Sequence, residues 1–336
     1  MPAAPGLPGV DRRTLVGLVL TGAAGAALRD GRLMRPFDEG PQMILDSTRR
    51  SLTTLGQTGY DQLGPRKVAI ALRAAERAMA PALTDPGLRP AQMRDAKHLY
   101  AQLLTMSANA DSDTGQAVEA IRTAEMASSL ALEVGDAQTA GHAQVIVAGA
   151  LSAGGAHRRA VEVARRARSY AGSTPAGVMA LLAEADAASL LGQAHTVLDT
   201  VTAAEEAHAL LADEMWGQPG YSFGTYHPAL LKTFGAISLA TVGLHAEAGP
   251  RFEEAAAAAG PAAGLRVVIW LWQARSALEA GDAGSAHRLA GLAVAQAESR
   301  PAAWVAEGVR DLSADAGGAF VDLVERVDGW GFTPPV

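Results

Sequence analysis

Residues 265–298 run LRVVIWLWQARSALEAGDAGSAHRLAGLAVAQAE, two apolar-periodic stretches on either side of Gly281-Asp282. The first carries Val267, Val268, Trp270, Leu271, Ala274 and Leu278 on a helical stripe. The second carries Ala286, Leu289, Ala290, Ala293 and Ala297. Steps of three and four are the helix period, not the strand period. Gly281 supplies the positive φ that a sharp helix-to-helix turn needs. The small residues of the second stretch let two backbones approach closely.

The same punctuation recurs upstream. Gly115 is followed at +5, +9 and +12 by Ala120, Ala124 and Ala127, and Gly155 by Ala160, Ala164 and Ala167. Gly192 is followed by Val197, Val201 and Ala204, Gly243 by Ala248, Phe252 and Ala255, and Gly281 by Ala286, Ala290 and Ala293. The glycines stand 40, 37, 51 and 38 residues apart. A helix–turn–helix unit with a period in the high thirties marks a helical solenoid.

With Trp270 eleven residues before Gly281 and Ala274 seven before it, the unit resembles the tetratricopeptide repeat (TPR). Two features depart from that consensus: Ala277 stands where it has a large aromatic, and most units lack its terminal proline. The resemblance covers about Arg94 to Ala314. It implies an all-α fold, a right-handed α-solenoid of TPR-like hairpins whose first helices line a concave surface. A narrower resemblance joins the alanine-rich array to Asp11-Arg12-Arg13-Thr14: such chains are similar to the C-terminal sensor part of actinobacterial helix-turn-helix regulators of the Xre type. No recognition-helix pattern precedes the repeats, so direct nucleic-acid binding is not expected. Four regions follow: 1–30, an apolar linker helix or signal-like segment; 31–93, an N-terminal helical region; 94–314, the repeats; 315–336, a capping helix and tail.

Composition agrees with helix. The chain has 336 residues, 49% of them hydrophobic and only 5% aromatic, and alanine favours helix over sheet. Its net charge of −7 provides no global attraction for nucleic acid or anionic lipid. Arginines are frequent up to Arg94 and the remainder reads as acidic, so the basic N-terminal part is a solvated face or a docking surface. Cysteine is absent, which excludes disulfides, Cys-ligated zinc and cysteine nucleophiles and fits a cytoplasmic location. High alanine, glycine and arginine point to a GC-rich bacterial genome. Arg12-Arg13 and the apolar run to Leu28 also resemble a twin-arginine export signal, the alternative location; the run is short for a membrane span.

Residues 44–80 read as helical, with a break around Gly56 to Pro65, and Pro81 to Pro90 as a connection with a turn at Thr84-Asp85-Pro86-Gly87. The 51-residue interval holds an excess near Asp213 to Pro228, the densest aromatic cluster in the chain. Insertions in solenoids commonly sit on the binding face. Residues 313–332 read as a cap over the last repeat, interrupted by Gly317-Gly318.

Catalytic motifs are missing. There is no G-x-G-x-x-G after a strand, no P-loop, no His-Glu-x-x-His and no nucleophile elbow. Adjacent pairs such as Glu205-Glu206 and Glu253-Glu254 diverge by about 100° on a helix and cannot cooperate. Glu205-x-x-His208 has di-iron spacing, but its nearest counterpart, Asp95-x-x-His98, uses aspartate. No metal or cofactor is expected. His142, His157, His195, His245 and His287 mostly follow turn glycines, which suggests exposed helix starts.

The reading is a binding or regulatory module that captures a peptide, protein segment or small signal molecule in the concave groove. The alternative is an enzyme or accessory protein of secondary metabolism on the same scaffold. Candidate contacts are Arg94, Lys97, Tyr100, Gln144, Trp216, Tyr221, Phe223, Tyr226, His227, Lys232 and Trp270. Aromatic anchors would supply desolvated contact, and the three cations could fix an anionic group. Self-association as a homodimer is a further expectation.

Overall fold

The computed structural model describes residues 41–56, 63–215, 227–259 and 263–332. Trp216, Tyr221, Phe223 and Tyr226 lie outside these residues, as do the Arg12-Arg13 segment and the tail 333–336. Among the described residues there are fourteen α-helices and no strand. They are α1 (Pro41–Thr54), α2 (Pro65–Met79), α3 (Pro90–Asp113), α4 (Ala117–Glu133), α5 (Ala137–Ala153), α6 (His157–Ala171) and α7 (Pro175–Ser189). Then follow α8 (Ala194–Ala209), α9 (Pro228–Thr241), α10 (His245–Ala259), α11 (Ala263–Glu279), α12 (Ala283–Ala297), α13 (Ala303–Asp315) and α14 (Val321–Asp328). No helix of the described residues is long and apolar enough to cross a membrane.

The five glycine turns share one geometry. Gly115, Gly155, Gly192, Gly243 and Gly281 all have φ between 70° and 80°, a conformation that costs an L side chain strain. In each turn the next residue's N–H donates to the carbonyl five residues back: Gln116 to Asp111, Ala156 to Leu151, Gln193 to Ala188, Leu244 to Leu239 and Asp282 to Ala277, at 2.8 to 3.1 Å. This closure satisfies the orphan carbonyls at the end of each first helix. Asp282 then caps α12 by accepting from Ser285 N–H at 2.9 Å.

Each offset residue is buried. All fifteen residues at +5, +9 and +12 after the five glycines are at most 6% exposed, and twelve of them are alanine. Alanine at these positions lets the second helix of each hairpin lie against its first. The Gly317-Gly318 turn repeats the closure, its Gly318 N–H reaching the Ser313 carbonyl at 2.7 Å, with one extra residue before the stripe: Leu323 and Val327, six and ten after Gly317, are buried. Thus α13 and α14 form a sixth hairpin closing the array.

The packing sets the curvature. The first helices α3, α5, α7, α9, α11 and α13 each pack on the next one in line. Successive second helices are splayed apart, and only α12 and α14 pack substantially. Closer spacing on one side bends the stack, with first helices inside and second helices outside. The bend brings the two ends of the array together. The Arg66 guanidinium on α2 donates to the Gly331 carbonyl at 2.9 Å and lies 4.1 Å from the Phe332 ring centroid. The Gly115 turn backs onto Ala303.

The inner face and its comparison with known proteins

An inner strip emerges when residues are counted back from the turn glycines. Six residues before them stand Asn109, Gly149, Asp186, Ile237 and Arg275; thirteen before stand Gln102, His142, Met179, Leu230 and Val268. A separation of seven is two helical turns, so both sets share one face of each first helix. In α5 and α7, whose other faces are enclosed, this face keeps accessible surface. Gly149 is exposed and a Cβ there would meet nothing within 4 Å, while Met179, Ala183 and Asp186 are half-buried. On α9 Phe234 is 40% exposed.

The strip changes character along the array. Gln102 and Asn109 give its first unit amide groups; Leu230 and Val268 give its later units apolar ones, with Arg275, 3.7 Å from Asp315, at the far end, while His142 and Ile237 are buried beneath the strip. Between them the Ser152 hydroxyl on α5 donates to Asp186 Oδ2 on α7 at 3.1 Å. Burial raises the Asp186 carboxyl above its ordinary range, against that hydrogen bond and the nearby His157. The hydroxyl is bonded to the carboxylate directly, with no imidazole between them, so the trio is not a serine nucleophile with its base. His142 is buried, and desolvation pushes its imidazole down to about 4. The expected exposed helix start fails for His142 because the preceding Gly141 is not a turn. It lies inside α5, where a Cβ would come 2.6 Å from the Ala171 methyl of α6.

The described candidate contacts are scattered. Lys232 donates to Glu205 at 3.1 Å and pairs with Glu254 at 2.9 Å. The other Glu205 oxygen receives Arg251 Nη2 at 2.8 Å, so this carboxylate is an ion-pair hub between α8, α9 and α10 rather than half of a ligand pair with His208. Lys97 is paired with Glu133. His98 meets Asp136 at 2.9 Å. Gln144 is buried. Tyr100 is half-buried between two core clusters, and its phenol is raised by burial and by Glu76. Trp270 packs on the α11–α14 core, with Arg266 5.9 Å from its ring centroid. His227 caps α9, its Nδ1 accepting from Ala229 N–H at 3.2 Å, and burial lowers its pKa. Arg94 is exposed on α3. Among the described residues no cluster of three His, Asp or Glu side chains is arranged to hold a metal.

Where the ends of the array meet there is a cavity of about 130 Å³, lined by Pro65, Asp113, Val267, Arg300, Trp304 and Val305 among others. Burial there pushes the Asp113 carboxyl up to about 7. Ligand sites commonly run from about 300 Å³ upward, so this seam is small for a peptide.

The chain is an all-α array of TPR-like helical hairpins. No family model matches it. No curated protein matches it either. Among solved structures it is similar to a protein of Podosopora anserina described as a kinesin light chain with nearly identical TPR-like repeats. The two share 18% identity with a TM-score of 0.40, over 65% of this chain and 96% of that one.

Proposed function

We propose that this chain is a binding module that takes an extended peptide or protein segment along the strip defined by the −6 and −13 positions. The observation carrying this reading is Gly149. It sits in mid-α5, where glycine weakens a helix by about 1 kcal/mol relative to alanine, and it opens space on the inner face without serving a turn. The strip suits a segment polar at one end and apolar at the other: the amides of Gln102 and Asn109 suit backbone groups, and Leu230, Phe234 and Val268 suit apolar side chains. Fixation of an anion by Lys97 or Lys232 is not part of this proposal, because both ammonium groups are already paired. The likeness of the array and of Asp11-Arg12-Arg13-Thr14 to Xre-type sensor regions supports a regulatory role, with the bound segment as the signal.

Peptides selected from a random library on the immobilised full chain provide the test. Gly149→Trp fills the open space and Phe234→Glu charges the apolar end. Each is expected to weaken the selected peptides by about tenfold or more, equivalent to about 1.4 kcal/mol, with the melting temperature held. Selected peptides that bind both variants as well as the parent would refute the inner-face reading.

A further inference from the structure

Helix α6 has the sequence HRRAVEVARRARSYA, and its apolar stripe of Ala160, Val163, Ala164 and Ala167 is buried against neighbouring helices. Its opposite face carries Arg158, Arg159, Arg165, Arg166 and Arg168, all exposed. One carboxylate, Glu162, stands among them. The chain beyond Arg94 is acidic overall, and α6 departs from that character. Arg165 Nε donates to the buried Glu184 of α7 at 2.7 Å, and Arg168 approaches its other oxygen at 3.7 Å. Among the described residues Arg158, Arg159 and Arg166 have no ion-pair partner.

We propose that the outer face of α6 is a second docking surface, for a glutamate- or aspartate-rich protein segment. The surface goes beyond the inner-face reading and does not depend on it. Guanidinium forks match carboxylates in bidentate geometry, and Glu184 already shows α6 arginines gathering one. Arg158/Arg159 and Arg165/Arg166 form two pairs about 10 Å apart along the helix. An extended peptide rises about 3.3 Å per residue, so carboxylates three residues apart span the two pairs. The second helices on either side expose Met126 on α4 and Leu198 on α8, which suits a segment mixing acidic and apolar residues. A nucleic acid fits less well. The patch is about 15 Å long, and a longer polyanion would run onto Glu125 and Glu133 of α4 or Asp199 and Glu206 of α8, in a chain of net charge −7.

The test is fluorescence anisotropy on the full chain. The probes are a twelve-residue peptide whose central six residues are four glutamates and two leucines, flanked by glycine and serine so that its charge matches the length of the patch, its glutamine counterpart and a duplex DNA. The glutamate peptide is expected to bind and to weaken as salt rises, and the glutamine peptide is expected not to bind. The triple variant Arg158→Glu, Arg159→Glu, Arg166→Glu spares the two arginines that hold Glu184. It should weaken the glutamate peptide by at least about tenfold and bind a lysine version of the peptide instead, with circular dichroism unchanged. Reversing Arg77 and Arg288, exposed elsewhere, should leave binding as it was. Glutamate-peptide affinity that survives the triple variant, a glutamine peptide that binds equally, or DNA bound more tightly than the glutamate peptide would each overturn the proposal.

Discussion

Helices α6 and α7 are neighbours of equal length and opposite construction. α7 packs on α5, α6, α8 and α9, and none of its residues from Pro175 to Ser189 is exposed. α6 packs on α5 and α7 and turns its arginines to water. The difference follows from place. A second helix has one buried stripe, whereas a first helix is enclosed by its own partner, the preceding second helix and first helices on both sides. Polar groups follow the same division. Twelve of the sixteen buried polar side chains among the described residues lie on first helices, Thr105, His142, Glu184 and Thr233 among them. A fully enclosed helix must satisfy its polar groups internally, and several do so on their own backbone, as Thr233 donates to the Ala229 carbonyl at 2.7 Å.

The sharpest way to break this contrast is to add a methyl group where first helices are most tightly enclosed. A Cβ at Gly177 would fall 1.9 Å from the Gly172 carbonyl oxygen, and one at Gly141 would fall 2.6 Å from the Ala171 Cβ. Gly177→Ala and Gly141→Ala should each cost about 3 kcal/mol, toward the upper end for overpacking, measured as loss of stability in urea. The equivalent change on an outer face, Gly249→Ala on α10, where a Cβ would meet nothing within 4 Å, should be neutral or slightly stabilising.

Much of the fold is legible in the residues, and the same contrast shows where legibility stops. A second helix alternates buried and exposed residues, so a glycine followed by small residues at +5, +9 and +12 reveals both its turn and its stripe. A first helix such as α7, apolar nearly all round, has no such period, and the residues facing the inner strip look like the rest. That is why Gln144 reads as a groove contact although it is buried. The same lack of a period hides Gly149, Met179 and Asp186. The signal that finds them is the backward count of six and thirteen from the turn glycines. Lys232 was misleading for another reason: its partners Glu205 and Glu254 lie 27 and 22 residues away in sequence and meet it only when α8, α9 and α10 assemble.

A second prediction concerns acid. The native His142 imidazole is held neutral, its pKa pushed from 6.5 to about 4 by burial. The unfolded chain protonates it below 6.5, so acid favours unfolding. The His142 contribution is fully present above pH 6.5 and is lost progressively down to about pH 4, amounting to up to about 3 kcal/mol. His142→Gln should flatten the melting temperature against pH in this window. An unchanged slope would mean that His142 is hydrated.

The Glu184 carboxylate provides a smaller effect. It is 6% exposed and is held by Arg165 and Arg168. Removing both as Arg165→Ala, Arg168→Ala leaves a buried charge without its partners and should cost about 2 kcal/mol; adding Glu184→Gln should recover part of the loss. The smallest expected effect has the opposite sign. Gly149→Ala places a methyl in open space on a helix and should raise stability by about 0.5–1 kcal/mol, in contrast with Gly141→Ala eight residues earlier.

The stacked, glycine-hinged hairpin is tested most directly by thiol labelling, because the chain has no cysteine of its own. Single cysteines are placed at Ala124, Ala164, Val201 and Phe252, nine residues after the first four turn glycines, and at their neighbours Glu125, Arg165, Thr202 and Glu253. Under native conditions the first set should react about a hundredfold or more slowly than the second, which should label at the rate of a free thiol. Equal rates within the pairs would mean that the second helices do not bury this stripe, and the inner and outer faces would lose their basis.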